Sequence, residues 1–257
     1  AILLVLSGGA YALPASSDIA ASTTGTALPA DGDTVQQGVT IDNSGATGDP
    51  TITTQDDTTL TNNGTITSVA GSSKDALTDD GSDDGDGVTV TNNATGIIQA
   101  LGTGDAIKLD DDVTIVNAGT ISTVGGESAI ELDKDGDVTN SGTISGATTP
   151  AAGDNSYVLR VDRGTILNQS TGVIEATGSA TTLDGSGDNG SNIYAIRAGK
   201  DDPTTVTNHG IVRATGDAVS VEQGNKEGEV GGIRLQSGSS LDNYGTVETT
   251  GSIVIGA

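Results

Sequence analysis

"TNNGTITS", residues 61–68, returns with small changes as "VNAGTIST" at 116–123, "TNSGTISG" at 139–146, "TNHGIVRA" at 207–214 and "DNYGTVET" at 242–249. Set in register, the strings read apolar-x-Asn-x-Gly-x-apolar. Leu60, Ile115, Val138, Val206 and Leu241 open the pattern, and Ile66, Ile121, Ile144, Val212 and Val247 close it. Two more copies are two residues longer, Asn92 to Gly96 and Asn168 to Gly172, and "IDNSG" at 41–45 gives an eighth. The Asn column is therefore read as Asn43, Asn62, Asn92, Asn117, Asn140, Asn168, Asn208 and Asn243, with successive members 19 to 40 residues apart. A repeat of this length marks a solenoid. Apolar residues at every second position mark strands, and Asn and Gly between them supply a bend, because both tolerate unusual backbone angles. Each copy reads as strand, bend, strand.

A second motif alternates with the first. "DAIKLDDD" (105–112), "SAIELDKD" (128–135), "SYVLRVDR" (156–163), "YAIRAGKD" (194–201) and "GGIRLQSG" (231–238) each place two apolar residues around one outward polar residue. This is another strand of the same coil. A coil of this kind cannot bury its apolar face alone, so it must stack on copies of itself at the spacing of hydrogen-bonded strands. The Asn residues would then form an amide ladder, each side chain bonding to the layers above and below. The fold class is all-β, a parallel β-helix of about eight coils, roughly 40 Å long at strand spacing. The sequons at Asn63, Asn93, Asn168 and Asn189 follow from the repeat itself and need no glycosylation to explain them.

Composition agrees with stacked small layers. The 257 residues contain no Phe, Trp, Met or Cys and only four Tyr, so the core must come from Ile, Val, Leu and Ala. Without Cys there is neither a disulfide framework nor thiolate chemistry. The net charge of −25 excludes nucleic acid and anionic lipid as partners, since phosphate binding needs a basic stripe. "AILLVLSGGAYA" (1–12) has the apolar run and A-x-A ending of a secretory signal, and with the absence of Met it predicts an exported, processed chain or a piece of a longer one. The expected organisation is a signal-like or donated apolar strand at 1–12, a polar segment at 13–37, and β-helix repeats over 38–257.

These repeats resemble the passenger regions of bacterial autotransporters and related β-helical surface adhesins, over roughly residues 38–257. The resemblance implies a right-handed β-helix that is secreted or held at the cell surface, outside the outer membrane. The sequence departs from that pattern in having no C-terminal membrane β-barrel segment and in ending at "GSIVIGA" without a polar cap. The expected role is structural or adhesive. One form of it is self-assembly into a filament or extracellular matrix, with Ile2, Leu3, Leu4, Val5 and Leu6 donated as a strand to a neighbouring copy, head to tail. Other surface components are the remaining partners. The competing expectation is a polysaccharide lyase or hydrolase, a class also found on β-helices.

Four features bear on that choice. Inserts at 146–155, 177–190 and 215–231 leave from one corner of neighbouring coils and must lie side by side, as a recognition surface or as drifted loops. The opposite corner is acidic. Asp84, Asp86, Asp110, Asp112, Asp133 and Asp135 fall there, as a solvated face or as a calcium corner, the one cofactor the sequence suggests. The EF-hand pattern fails, because Thr91 and Gly142 stand where its bidentate Glu belongs. The outward column Lys108, Glu131, Arg160, Arg197 and Arg234 reads as cross-strand pairing rather than chemistry, and the single histidine, His209, occupies a variable exposed slot. No nucleophile–histidine set can be assembled, so the expectation is no enzyme and no catalytic residue.

Overall fold

A strand of four or five residues with apolar side chains at alternate positions buries one face only, and here every such face turns toward a common axis. In the computed structural model the described residues are 11–12, 19, 23–24, 27–45, 48–81, 87–125, 128–148, 155–180, 192–200, 202–220, 230–251 and 253–255. Their strands form three sheets in which every pairing is parallel. One turn of the chain contributes a strand to each sheet in order. The turn at the middle of the molecule, for example, runs Ile107–Asp111 in sheet I, Thr114–Asn117 in sheet II and Thr120–Val124 in sheet III. Among the described residues there are eight complete turns, 27–42, 52–68, 77–100, 107–124, 130–148, 155–180, 192–220 and 230–250. The fold is a parallel β-helix.

From Leu60 onward the register is the one the sequence alignment proposes. Sheet II stacks Leu60, Val90, Ile115, Val138, Ile166, Val206 and Leu241; sheet III stacks Ile66, Ile98, Ile121, Ile144, Ile174, Val212 and Val247. Sheet I stacks Ile107, Ile130, Leu159, Ile196 and Ile233. From Leu60 to Val212 these side chains are buried, and they join into a single core cluster. Each fully buried aliphatic contributes about 1.5–3 kcal/mol, so stability accumulates layer by layer.

The bend between sheets II and III is held by the amide ladder. Nδ2 of Asn62, Asn92, Asn117, Asn140, Asn168 and Asn208 donates to Oδ1 of the next Asn at 2.8 to 2.9 Å, ending on Asn243. The same nitrogens also reach a carbonyl of the following sheet III strand at 3.1 to 3.3 Å, from Ile97 to Thr246. Both amide hydrogens are thus used, as burial requires. The Gly that follows has its own reason: a side chain at Gly119 would overlap the Gly96 carbonyl and the Asn92 amide of the layer below. In the longer copies a tight turn absorbs the two extra residues, with Gly96 N–H donating to Asn93 O (2.7 Å) and Gly172 N–H to Gln169 O (2.8 Å).

Asn43 is not in the ladder. Ile41 pairs with Ile66, so residues 40–42 belong to sheet III, and the ladder position of that turn is Val35, opposite Asn62. Asn43 is buried one corner later, where its amide donates to Asp49 O (2.9 Å) and Ser72 Oγ (3.0 Å) and accepts from Val69 N–H (2.8 Å). The motif misleads here because "VQQGVTI" (35–41) is the true copy, of the longer type, with Val replacing Asn. The sheets accordingly begin ahead of residue 38: Asp33–Val35, Ala27–Leu28, Thr23–Thr24 and Tyr11–Ala12 are all paired strands, and Ile19 bridges to Val35. The ladder therefore closes on an apolar residue at one end. At the other, the amide nitrogen of exposed Asn243 meets only Gly245 O, at 3.3 Å, among the described residues.

Candidate interaction surface

Charge is distributed over this stack unevenly. Apart from Arg213 in sheet III and Lys226, which lies outside the described residues, every Lys and Arg of the chain sits on sheet I or at the corners beside it. The outward column of sheet I runs Lys108, Glu131, Arg160, Arg197, Arg234 in direct register. Its first three members form alternating ion pairs, Lys108 to Glu131 at 3.3 Å and Arg160 to Glu131 at 2.9 Å, with Glu131 nearly buried between them. Arg160 also binds Asp162 through Nε (3.2 Å) and Nη2 (2.9 Å). Beyond Arg160 the alternation stops. Arg197 shares Asp162 at 3.5 Å and donates to Gln236 Oε1 at 2.8 Å. Arg234 donates to the Tyr157 hydroxyl at 3.2 Å.

Tyr157 and Tyr194 shape that end of the column. Their rings stack with centroids 5.9 Å apart, Arg197 lies 5.1 Å from the Tyr157 ring centre, and Arg234 lies 5.6 Å from that of Tyr194. They belong to a column two residues ahead of the first sheet I aliphatic, occupied in successive turns by Asp75, Asp105, Ser128, Tyr157, Tyr194 and Gly231. In the acidic half of the column Asp105 is buried and Asp75 half-buried, and both accept from backbone donors. Asp75 Oδ1 accepts from Asp105 N–H and Asp105 Oδ1 from Ser128 N–H, both at 2.7 Å. Burial pushes the Asp105 carboxyl up to about 7, and it raises Asp75 as well. Neither residue was singled out by the repeat alignment, although both stand at a fixed offset in "KDAL" and "GDAI".

Of the expected calcium residues, Asp110, Asp112, Asp133 and Asp135 lie at or beside the corner between sheets I and II. Asp84 and Asp86 lie outside the described residues. Asp112 and Asp135 occupy left-handed backbone positions, φ 53° and 49°, and Asp57 does the same at 57°, so Asp serves the turn geometry there. The carboxylates beside them are matched to cations of the protein itself: Asp111 with Lys134 at 3.1 Å, Asp135 with Arg163, and Asp202 with Arg163 at 3.5 Å. Asp133 lies 3.9 Å from Arg160, its carboxyl raised by desolvation against that pull, and Asp110 N–H donates to Asp79 Oδ2 at 3.0 Å. Among the described residues no group of three or more carboxylates or imidazoles converges as a metal site.

The remaining sequence features are placed as follows. The inserts start and finish as paired strands: Val173–Ala180 continues alongside Ile211–Ser220 as far as Ala180 and Ala218, and Asn155–Val161 returns beside Asn192–Ala198. Val158, Ile193 and Ala195 are buried between these extensions, and a side chain at Gly146 would press on Val158. Residues 149–154, 181–191 and 221–229 lie outside the described residues, as do Ile2, Leu3, Leu4, Val5 and Leu6. His209 is exposed and stacks on Tyr244 with centroids 4.9 Å apart. Asn93 Nδ2 donates to Asn63 Oδ1 at 2.8 Å, a short second ladder; Asn168 is buried in the main one, and Asn189 lies outside the described residues. Comparison with family models, with curated proteins and with solved structures found no match to this chain.

Proposed function

We propose that the protein is an exported structural or adhesive rod of the bacterial cell surface. The observation that carries this reading is the use to which the polar side chains are put. Seven Asn residues are spent on one another, Glu131 on Lys108 and Arg160, and Arg163 on Asp135 and Asp202. Such a stack is a rigid scaffold that holds surface columns in fixed register, and on solenoids those columns and the inserts are where recognition occurs. Export accords with the signal-like residues 1–12 and with a charge of −25, which favours solubility. The test sets the purified protein against pectin, alginate and polygalacturonate, with and without calcium. The scaffold reading expects no unsaturated or reducing sugar released above blank. Sustained release that scales with protein concentration would replace it with the lyase or hydrolase reading.

A further inference from the structure

Like charges stacked directly across parallel strands repel one another, so a column of three arginines in register, Arg160, Arg197 and Arg234, works against the stability of the sheet that carries it. Places where a sequence breaks such a rule without local compensation are where function is to be sought. Arg160 is compensated fully, by Glu131 and Asp162, and Arg197 in part, by the same Asp162 and by Gln236. Arg234 is different. Among the described residues it has no carboxylate partner, and its one hydrogen bond, to the Tyr157 hydroxyl, uses one of five guanidinium donors. Every other described arginine of this chain has an acidic partner: Arg163 has two, and Arg213 has Glu175 at 2.8 Å.

The site is also built. Tyr157 and Tyr194 stack, and the guanidinium groups of Arg197 and Arg234 lie over their rings, which fixes two long side chains at little entropic cost on binding. Gly231 continues the tyrosine column, and any side chain there would press on the Tyr194 ring beneath Arg234. Arg234 itself is partly exposed, and Lys200 on the preceding turn is exposed.

From this arrangement we infer that Arg234, backed by Arg197 and the Tyr157 hydroxyl, is a binding site for the anionic groups of a polysaccharide, a carboxylate or a sulfate on a sugar chain. A planar guanidinium fork matches both groups geometrically. The arginine rungs are about 4.8 Å apart along the axis, comparable with the rise of one sugar unit, so a chain lying along the stack meets Arg234 with one anionic group and the field of Arg197 with the next. Densely charged polyphosphates suit the site less, because the rest of the surface is acidic. This deepens the scaffold reading by naming what the rod holds, and it stands or falls by binding, whereas that reading stands or falls by sugar release.

The experiment measures binding of immobilised polygalacturonate, dextran sulfate and neutral dextran to the whole chain at about 0.15 M ionic strength. The parent is expected to bind one or both anionic polymers and not neutral dextran, and the stronger of the two identifies carboxylate or sulfate as the group. Arg234→Gln should weaken binding about tenfold, Arg234→Lys less, and Arg163→Gln, at the acidic corner, not at all. Circular dichroism melting of each variant checks the fold, and if Arg234→Gln does not fold, Arg234→Lys and Tyr157→Phe carry the comparison. Failure of the parent to bind either anionic polymer, undiminished binding by every folded variant at Arg234 and Tyr157, or equal loss in Arg163→Gln would each overturn the inference.

Discussion

The bend between sheets II and III and the outward face of sheet I stack polar side chains at the same layer spacing, yet they solve the problem differently. At the bend the same residue recurs from Asn62 to Asn243. On the face no residue type runs the length of the stack: Asp75 and Asp105 give way to Ser128, and Lys108 to Glu131 and then to Arg160, Arg197 and Arg234. The difference lies in the groups. An amide both donates and accepts, so identical copies satisfy one another indefinitely. A carboxylate only accepts and a guanidinium only donates, so a charged column must alternate, turn to backbone donors as Asp105 does, or leave a charge for something outside the chain.

Breaking the amide column in its middle should have the largest effect. Asn117→Leu leaves one amide hydrogen of Asn92 and the side-chain oxygen of Asn140 unmatched in a dry bend, a loss of roughly 2–6 kcal/mol in urea denaturation at about 1–3 kcal/mol for each unsatisfied group. Asn243→Leu, at the exposed end of the same column, should change stability by about 0.5 kcal/mol or less. Equal losses at the two positions would mean that the column is not a continuous ladder.

The charged face should show a smaller effect that depends on pH. The Asp105 carboxyl is raised from an ordinary 3.8 to about 7 by burial. Its folded form therefore holds the proton more tightly than the unfolded chain does. The stability this contributes is complete below pH 3.8 and is lost as pH rises through about 7. Asp105→Asn keeps an acceptor for Ser128 N–H and carries no charge, so in thermal melts the variant should gain on the parent as pH rises from about 4 to about 7 and hold a constant advantage above that. Parallel melting curves across that range would show that Asp105 is not held protonated. The smallest effect belongs to the corner. Asp112→Asn, at φ 53°, replaces one residue that tolerates the left-handed region with another and should leave the melting temperature unchanged, whereas Asp112→Val should lower it.

The same contrast explains what the sequence discloses. A ladder must repeat identically, so its strings are visible by eye, and the sheet register follows once they are aligned. The strings mislead where the ladder substitutes: Val35 carries no Asn to mark it, and the nearby "IDNSG" offers Asn43 in its place. The ion pairs at the corner join residues more than twenty positions apart, so Lys134 and Arg163 could be matched to Asp111 and Asp135 only after the register was known. The aspartates of the acidic corner look like ligands in a string of letters, because nothing in a string reports that Asp112 and Asp135 stand at positive φ. Tyr157 and Tyr194 stand at the same offset in their strings, but no string of letters reports their contacts with Arg197 and Arg234.

The ladder can be tested directly by hydrogen exchange of the side-chain amides in protein labelled with nitrogen-15 at Asn. If the stack is as described, the Nδ2 hydrogens of Asn92, Asn117, Asn140 and Asn168 exchange far more slowly than those of Asn243, which ends the column in solvent, and Asn43 is protected independently of them. Exchange at Asn117 and Asn140 as fast as at Asn243 would contradict the ladder and the stacked-coil architecture that rests on it.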